Sequence, residues 1–246
     1  AFMRNVKASD GIERKLWVDT LKKRVKTGEP YMMFIDNANR NLPQNWNKHN
    51  LKVKHSNLCS EIFLPTDGEH TLVCCLSSLN LYKYDEWKDT NTVRLAIFFL
   101  DAVIEEFIQK SSNIKGIEDS TRFAIKSRAL GLGTLGYHTY LQSKNIPFIS
   151  IYANGQTNKI FSYIRDQADQ ASNELAEMFG EPEWCKGTGF RNLTKLAIAP
   201  NRSSAKLAGG ISQGVEPIAA NIYVDDDSKG IHIRRNPELV KLLESK

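Results

Sequence analysis

Asn57, Cys59 and Glu61 stand at alternate positions in the run His55-Ser56-Asn57-Leu58-Cys59-Ser60-Glu61-Ile62. An amide, a thiol and a carboxyl group spaced in this way share one face of an extended backbone, because residues two apart point the same way. Burying three such groups is costly unless they hydrogen-bond one another or a bound molecule. A thiol can give up a hydrogen, a carboxylate can take a proton, and an amide can hold a hydroxyl. The same triplet also describes a half-buried strand with a polar outer face, so on its own it is weak evidence.

Other stretches carry groups of the same kind. Cys74 and Cys75 are adjacent within Leu72-Val73-Cys74-Cys75-Leu76-Ser77-Ser78-Leu79. Neighbours in a strand face opposite ways and rarely bridge, so Cys75 reads as a small buried residue. Pro200-Asn201-Arg202-Ser203-Ser204-Ala205 places hydroxyls at a helix start, where free backbone N–H groups attract anions; an ordinary serine cap is the alternative. Gly131, Gly133 and Gly136 form a GxGxxG. A nicotinamide site would need a strand before that motif and an acidic residue ~20 positions on. Ser120 to Lys126 reads as helix instead, so these glycines are expected to serve close packing.

The elements that position these groups alternate between strand and helix, which gives an α/β class. Helical spacing covers Asp10 to Thr27, Asn91 to Lys110 and Thr157 to Phe179, and Asn236-Pro237 caps and opens a last helix. Tyr31 to Ile35 reads as a short strand feeding a turn-rich stretch, Asp36 to His49. Leu58 to Leu64 and Thr71 to Leu81 read as extended limbs around the turn signal Pro65-Thr66-Asp67-Gly68.

The 246 residues are 41% hydrophobic and 25% charged, with a formal charge of +5, an ordinary globular composition. The basic clusters Lys22-Lys23-Arg24 and Arg234-Arg235 lack the interleaved aromatics of a nucleic-acid surface, and no nucleic-acid partner is expected. No apolar run approaches the ~18 residues of a membrane span. The cysteines at 59, 74, 75 and 185 have no zinc spacing, so no metal site is expected; a reduced, cytoplasmic setting follows, in which a disulfide is more often catalytic than structural.

Taken together, Lys26-Thr27-Gly28-Glu29-Pro30-Tyr31-Met32-Met33-Phe34-Ile35-Asp36-Asn37-Ala38-Asn39-Arg40, Ser56-Asn57-Leu58-Cys59-Ser60-Glu61, Leu72 to Leu81 and Leu196-Ala197-Ile198-Ala199-Pro200-Asn201-Arg202-Ser203-Ser204 resemble the large, catalytic subunit of aerobic class I ribonucleoside-diphosphate reductases of the phage and bacterial kind. The resemblance runs in order from about Lys15 to Lys246. It implies the later half of a ten-stranded α/β barrel, with the catalytic cysteine on a central finger loop. Residues 1–246 then form a partial barrel domain without the N-terminal cone, the first half-barrel or the C-terminal tail. Ala1 reads as a processed, trimmed or split end.

The resemblance also implies roles. Cys59 matches the thiyl position that takes the ribose 3′-hydrogen, Glu61 the base for the 3′-hydroxyl, and Asn57 the amide that holds it. Cys74 matches one thiol of the reducing pair. Pro200, Ser203, Ser204 and Ala205 match the loop for the substrate diphosphate. No cofactor is expected in this chain. A metal-containing small subunit would supply the radical, thioredoxin or glutaredoxin the electrons, and complementary catalytic-subunit segments the missing half. Alone, the chain is not expected to turn over. The alternatives are a non-catalytic remnant binding nucleotide or reductase subunits, a cobalamin-dependent reductase fragment, a glycyl-radical relative and a nicotinamide dehydrogenase.

Overall fold

A computed structural model describes residues 2–8, 10–227 and 230–246, with the side chain of residue 227 left aside. Ala1, read above as a processed end, lies outside the described residues. The chain divides into two compact units, Ala1–Asn41 and Leu42–Lys246.

The first unit holds α1 (Phe2–Ala8), α2 (Ile12–Thr27) and α3 (Ile35–Arg40). Asn5 Nδ2 donates to Glu13 Oε1 at 3.1 Å, linking α1 to α2. α2 ends where Gly28 turns left-handed at φ 79° and its N–H reaches back to Arg24 O. The strand expected at Tyr31 to Ile35 does not form: Tyr31 and Phe34 are exposed, no strand pairs with them, and Ile35 already starts α3.

The second unit opens with α4 (Gln44–Lys48) and a two-limbed finger. Val53 bridges Pro65 antiparallel, and Thr66 N–H donates to Lys52 O at 3.3 Å. β1 (Leu76–Asn80) follows, then α5 (Tyr84–Trp87), α6 (Thr92–Ser111), α7 (Glu118–Ser127) and β2 (Gly131–Leu135). β1 and β2 pair in parallel from Leu76↔Gly131 to Asn80↔Leu135. A third parallel limb lies against β2: Leu132 bridges Leu196, and Leu132 N–H donates to Lys195 O at 2.8 Å. α8 (Tyr137–Ser143) and α9 (Ile151–Phe179) come next, then α10 (Arg202–Leu207), the antiparallel hairpin β3 (Ile222–Asp227) and β4 (Gly230–Arg235), and α11 (Pro237–Glu244).

The core lies between the helices and the parallel strands. Ile97, Leu100 and Ile104 of α6 pack with Ile160, Ile164 and Leu175 of α9 and with Leu132 of β2. The first two glycines of the GxGxxG belong to β2 itself. A Cβ on Gly131 would lie 2.5 Å from Leu76 Cδ2, and one on Gly133 would overlap the backbone of Ala197. They let three strands approach closely, so no phosphate-cradling loop precedes a helix here, and the dinucleotide reading fails.

A buried ionic knot fixes the starts of these strands. Asp101 of α6 accepts from Arg128 Nε and Nη2, each at 2.9 Å, from Asn192 Nδ2 at 2.9 Å and from Arg191 Nε at 3.0 Å. Asn192 Nδ2 also donates to Arg128 O at 3.0 Å. Burial works to raise the Asp101 pKa, but the Arg128 guanidinium, with Arg191 and Asn192, holds it below the ordinary carboxylate value. Arg128 stands three residues before β2 and Asn192 four before Leu196 of the third limb, so one carboxylate aligns both strand entries. Among the described residues no helix is long and apolar enough to cross a membrane.

Candidate active site

The finger is a tight turn at its tip. The extended limb expected from Leu58 to Leu64, with alternate residues on one face, is corrected here. Ser60 takes a left-handed φ of 64°, and its N–H donates to Asn57 O at 3.2 Å. Asn57 N–H reaches Ile62 O at 3.2 Å, closing the turn. Two local interactions favour this over a strand: the backbone pair, and Asn57 Oδ1 accepting from Ile62 N–H at 3.1 Å. A left-handed serine is a strained choice that the surrounding bonds must hold in place.

The turn still gathers the predicted groups, by a different route. Asn57 Nδ2 donates to Glu61 Oε1 at 2.5 Å across its base. Glu61 Oε2 is buried and has no hydrogen-bond partner. A buried carboxylate oxygen left open is costly unless a bound molecule completes it. Cys59 is exposed at the tip, between the two.

Cys74 stands just before β1, and the finger brings its three residues to it. Burial pushes the Cys74 thiol up, and so do the Glu61 carboxylate and then Cys59, against a lowering hydrogen bond from Asn57. All four predicted residues are thus within electrostatic reach of one another. A raised thiol pKa keeps the proton on sulfur, which suits a proton donor rather than a nucleophile. A cavity of about 160 Å³ opens here, lined by Glu61, Cys74, Leu130, Gly131, Thr194 and Ala197, at the entries of the three parallel strands. Leu130, Thr194 and Ala197 carry no functional signature in sequence; only the parallel pairing brings them to the site.

Cys75 faces away, as its position beside Cys74 requires. It is buried, donates to Leu100 O at 3.4 Å, and burial pushes its thiol up to about 11. Cys185 is buried as well and pushed up to about 12. All four cysteines are free thiols.

The second predicted group lies toward the other end of β2. Asn201 Nδ2 donates to Ala199 O at 2.6 Å and to Thr134 O at 3.4 Å, fixing Pro200 and the start of α10 near the exit of that strand. Gly131, beside the cavity, and Thr134, beside α10, are separated by about 10 Å at the rise of a strand. Ser203 and Ser204 are exposed in the first turn, where N–H groups have no intrahelical partner. Ala205 is buried and its N–H is bonded to Asn201 O at 2.8 Å, so it anchors the turn by packing. Arg202 Nη2 reaches Asp225 Oδ1 at 3.3 Å, and Lys206 Nζ reaches Asp225 Oδ2 at 2.6 Å. These cations, Lys206 first, hold Asp225 below the usual carboxylate range. The β3–β4 hairpin that supplies Asp225 went unread in the sequence. Its signal was the alternation of Ile222 and Val224 before, and of Ile231 and Ile233 after, Gly230.

A thiol and a carboxylate on a finger, set over parallel strands beside a second thiol that keeps its proton, define an α/β domain equipped for thiol-based redox chemistry. Known proteins name the family. The family profile described as "Ribonucleotide reductase, barrel domain" matches residues 4–188 and 182–246. The ribonucleoside-diphosphate reductase large subunit of Invertebrate iridescent virus 3 is 40% identical over 94% of this chain and 37% of its own length. The vitamin B12-dependent ribonucleoside-diphosphate reductase of Thermoplasma acidophilum is 31% identical over 98% of this chain and 30% of its own. The structure of the Actinobacillus ureae class Id ribonucleotide reductase alpha subunit superimposes with a TM-score of 0.88 and 44% identity, covering 99% of this chain and 45% of that one. The chain belongs to the ribonucleotide reductase barrel-domain family. It spans less than half the length of these relatives.

Proposed function

We propose that residues 1–246 are the part of a class I ribonucleotide reductase catalytic subunit that performs the reduction of ribonucleoside diphosphates to 2′-deoxyribonucleoside diphosphates, for DNA precursor synthesis in the cytoplasm. The unpartnered Glu61 Oε2 beside Cys59 and the protonated Cys74 carries this reading. The radical would come from a metal-containing small subunit. Complementary catalytic-subunit segments would complete the barrel, and thioredoxin or glutaredoxin would restore the thiols.

The residues divide the work by their chemistry. Cys59, as a thiyl, takes the 3′-hydrogen and becomes a thiol. Glu61 accepts the 3′-hydroxyl proton through its open oxygen, while Asn57 holds its other oxygen in place at 2.5 Å. Cys74 supplies the proton with which the 2′-hydroxyl leaves as water. Two electrons then pass to the sugar as Cys74 closes a disulfide with a second thiol, whose hydrogen forms the new C2′–H bond, and Glu61 returns its proton to the 3′-oxygen. Cys75 is excluded as that partner by its buried, opposed position. Cys59 returns its hydrogen to C3′, and the thiyl is restored. Ser203 and Ser204 would bind the diphosphate, with Pro200 and Ala205 shaping the turn.

A second reading, a vitamin B12-dependent reductase, rests on the Thermoplasma similarity. The higher identities, 40% and 44%, are to a large subunit and to a class Id alpha subunit.

The test is Cys74→Ser in the assembled enzyme. The serine hydroxyl still hydrogen-bonds but cannot close a disulfide. Hydrogen abstraction should continue while deoxynucleotide yield collapses and substrate decomposes, as read by product analysis after single and multiple turnovers. Clean multiple turnover by the variant would remove Cys74 from the reduction.

A further inference from the structure

A second cavity, of about 360 Å³, lies at the root of the finger rather than its tip. Two of its wall residues are polar, buried and unsatisfied. Thr66 is 9% exposed and His70 7% exposed, and neither Thr66 Oγ1 nor His70 Nε2 has a hydrogen-bond partner. Both also lie outside the site already described, in a cavity that shares no lining residue with it.

The geometry around His70 fixes what its free nitrogen can do. Nδ1 lies 2.8 Å from Asp67 Oδ1, which also accepts from Glu69 N–H at 2.8 Å. Asp67 therefore holds the proton on Nδ1, which leaves Nε2 as an unpartnered lone pair on a residue that lines the cavity. The ring is fixed from behind by Trp184, with centroids 5.1 Å apart.

The charges at the wall are uneven. Asp67 is occupied by His70 and Glu69, and Glu183 pairs with Lys126 at 3.3 Å. Lys52 and Lys54 also line the cavity, and among the described residues their ammonium groups have no ion-pair partner. They flank buried Val53 at alternate positions, so both stand on the face of the limb opposite the Val53 side chain. Two cations without ion-pair partners and a hydroxyl are donors to a tetrahedral oxyanion, and the imidazole lone pair accepts from a phosphate O–H.

We propose that the finger root is a second ligand site, for a phosphate group held by Lys52, Lys54, Thr66 Oγ1 and His70 Nε2, either free or carried by a small metabolite. Because Lys52 and Lys54 sit on one limb and Thr66 on the other, a bound phosphate would tie together the two limbs that lead to Cys59.

Calorimetric titration of the full-length catalytic chain with inorganic phosphate and with adenosine monophosphate tests this. Lys52→Met/Lys54→Met changes exposed side chains only, and Thr66→Val removes one buried hydroxyl, so both variants keep the fold. Each should weaken binding at least about tenfold. Equal affinity for the two probes assigns the site to the free anion, and a preference of about tenfold or more for the monophosphate assigns it to a phosphorylated metabolite. No binding at millimolar concentration, the result if ordered water alone satisfies Thr66 and His70, overturns the proposal. So does binding that both variants leave unchanged.

Discussion

The knot at Asp101 and the cluster at Cys59 use similar groups to opposite ends. In the knot, both Asp101 oxygens are filled, by Arg128, Arg191 and Asn192, and Asp101, Arg128 and Asn192 are buried. At the finger tip Glu61 keeps one oxygen open, Cys59 is exposed, and neighbouring Leu58 is 91% exposed. Charge satisfied by protein holds backbone in place; charge left open awaits something else. The two meet at the strand entries, where Arg128 leads into the strand that lines the Cys74 cavity.

That contrast can be broken by experiment. Removing the hub of the closed region should cost most in stability. Asp101→Ala leaves the buried Arg128 without its main partner, and breaking a buried pair costs about 3–5 kcal/mol. Chemical denaturation of the full-length chain would read it, and a loss below about 1 kcal/mol would class the knot with surface pairs. Packing comes next. Gly133→Ala forces a Cβ into the backbone of Ala197 and should cost about 1–3 kcal/mol, whereas Gly155→Ala, in open space on α9, should gain about 0.5–1 kcal/mol. Equal effects in the same denaturation series would contradict the close approach of β2 to the third limb.

Thiol chemistry sharpens the comparison from the other side. Alkylation followed by mass spectrometry against pH should find Cys75 and Cys185 silent until about 11 and about 12. Cys74 should need a higher pH to react than an ordinary thiol does. The sign for stability follows from linkage. Thiols whose folded pKa is raised favour the fold below their unfolded value of about 8.5, and that contribution is lost as pH climbs through the folded values. Labelling of Cys75 at neutral pH would show that its burial is not maintained.

Much of this was legible in the sequence where local chemistry decides. α6 and α11 form where periodicity and the Asn236 cap placed them, with Asn236 Oδ1 accepting from Glu238 N–H at 3.2 Å. α9 starts six residues earlier than expected, at Ile151, because Ser150 caps it and the helix tolerates Gly155 in its second turn. The residue types of the site were readable, but their geometry was not. Asn57 and Glu61 meet because Ser60 turns left-handed, not because a strand alternates, and no propensity announces a left-handed serine. The knot was invisible, since it joins Asp101, Arg128 and Asn192 across distant sequence.

The central claim is that Cys59 removes the substrate's 3′-hydrogen. The direct measurement is turnover of protiated against 3′-deuterated ribonucleoside diphosphate by the full-length chain with the proposed radical-generating subunit, comparing wild type with Cys59→Ser. Wild type should turn over the deuterated substrate more slowly while keeping the label at C3′, and the variant should form no product above background while still binding substrate. Turnover by the variant within about tenfold of wild type, a difference too small for loss of the reacting atom, would contradict the assignment.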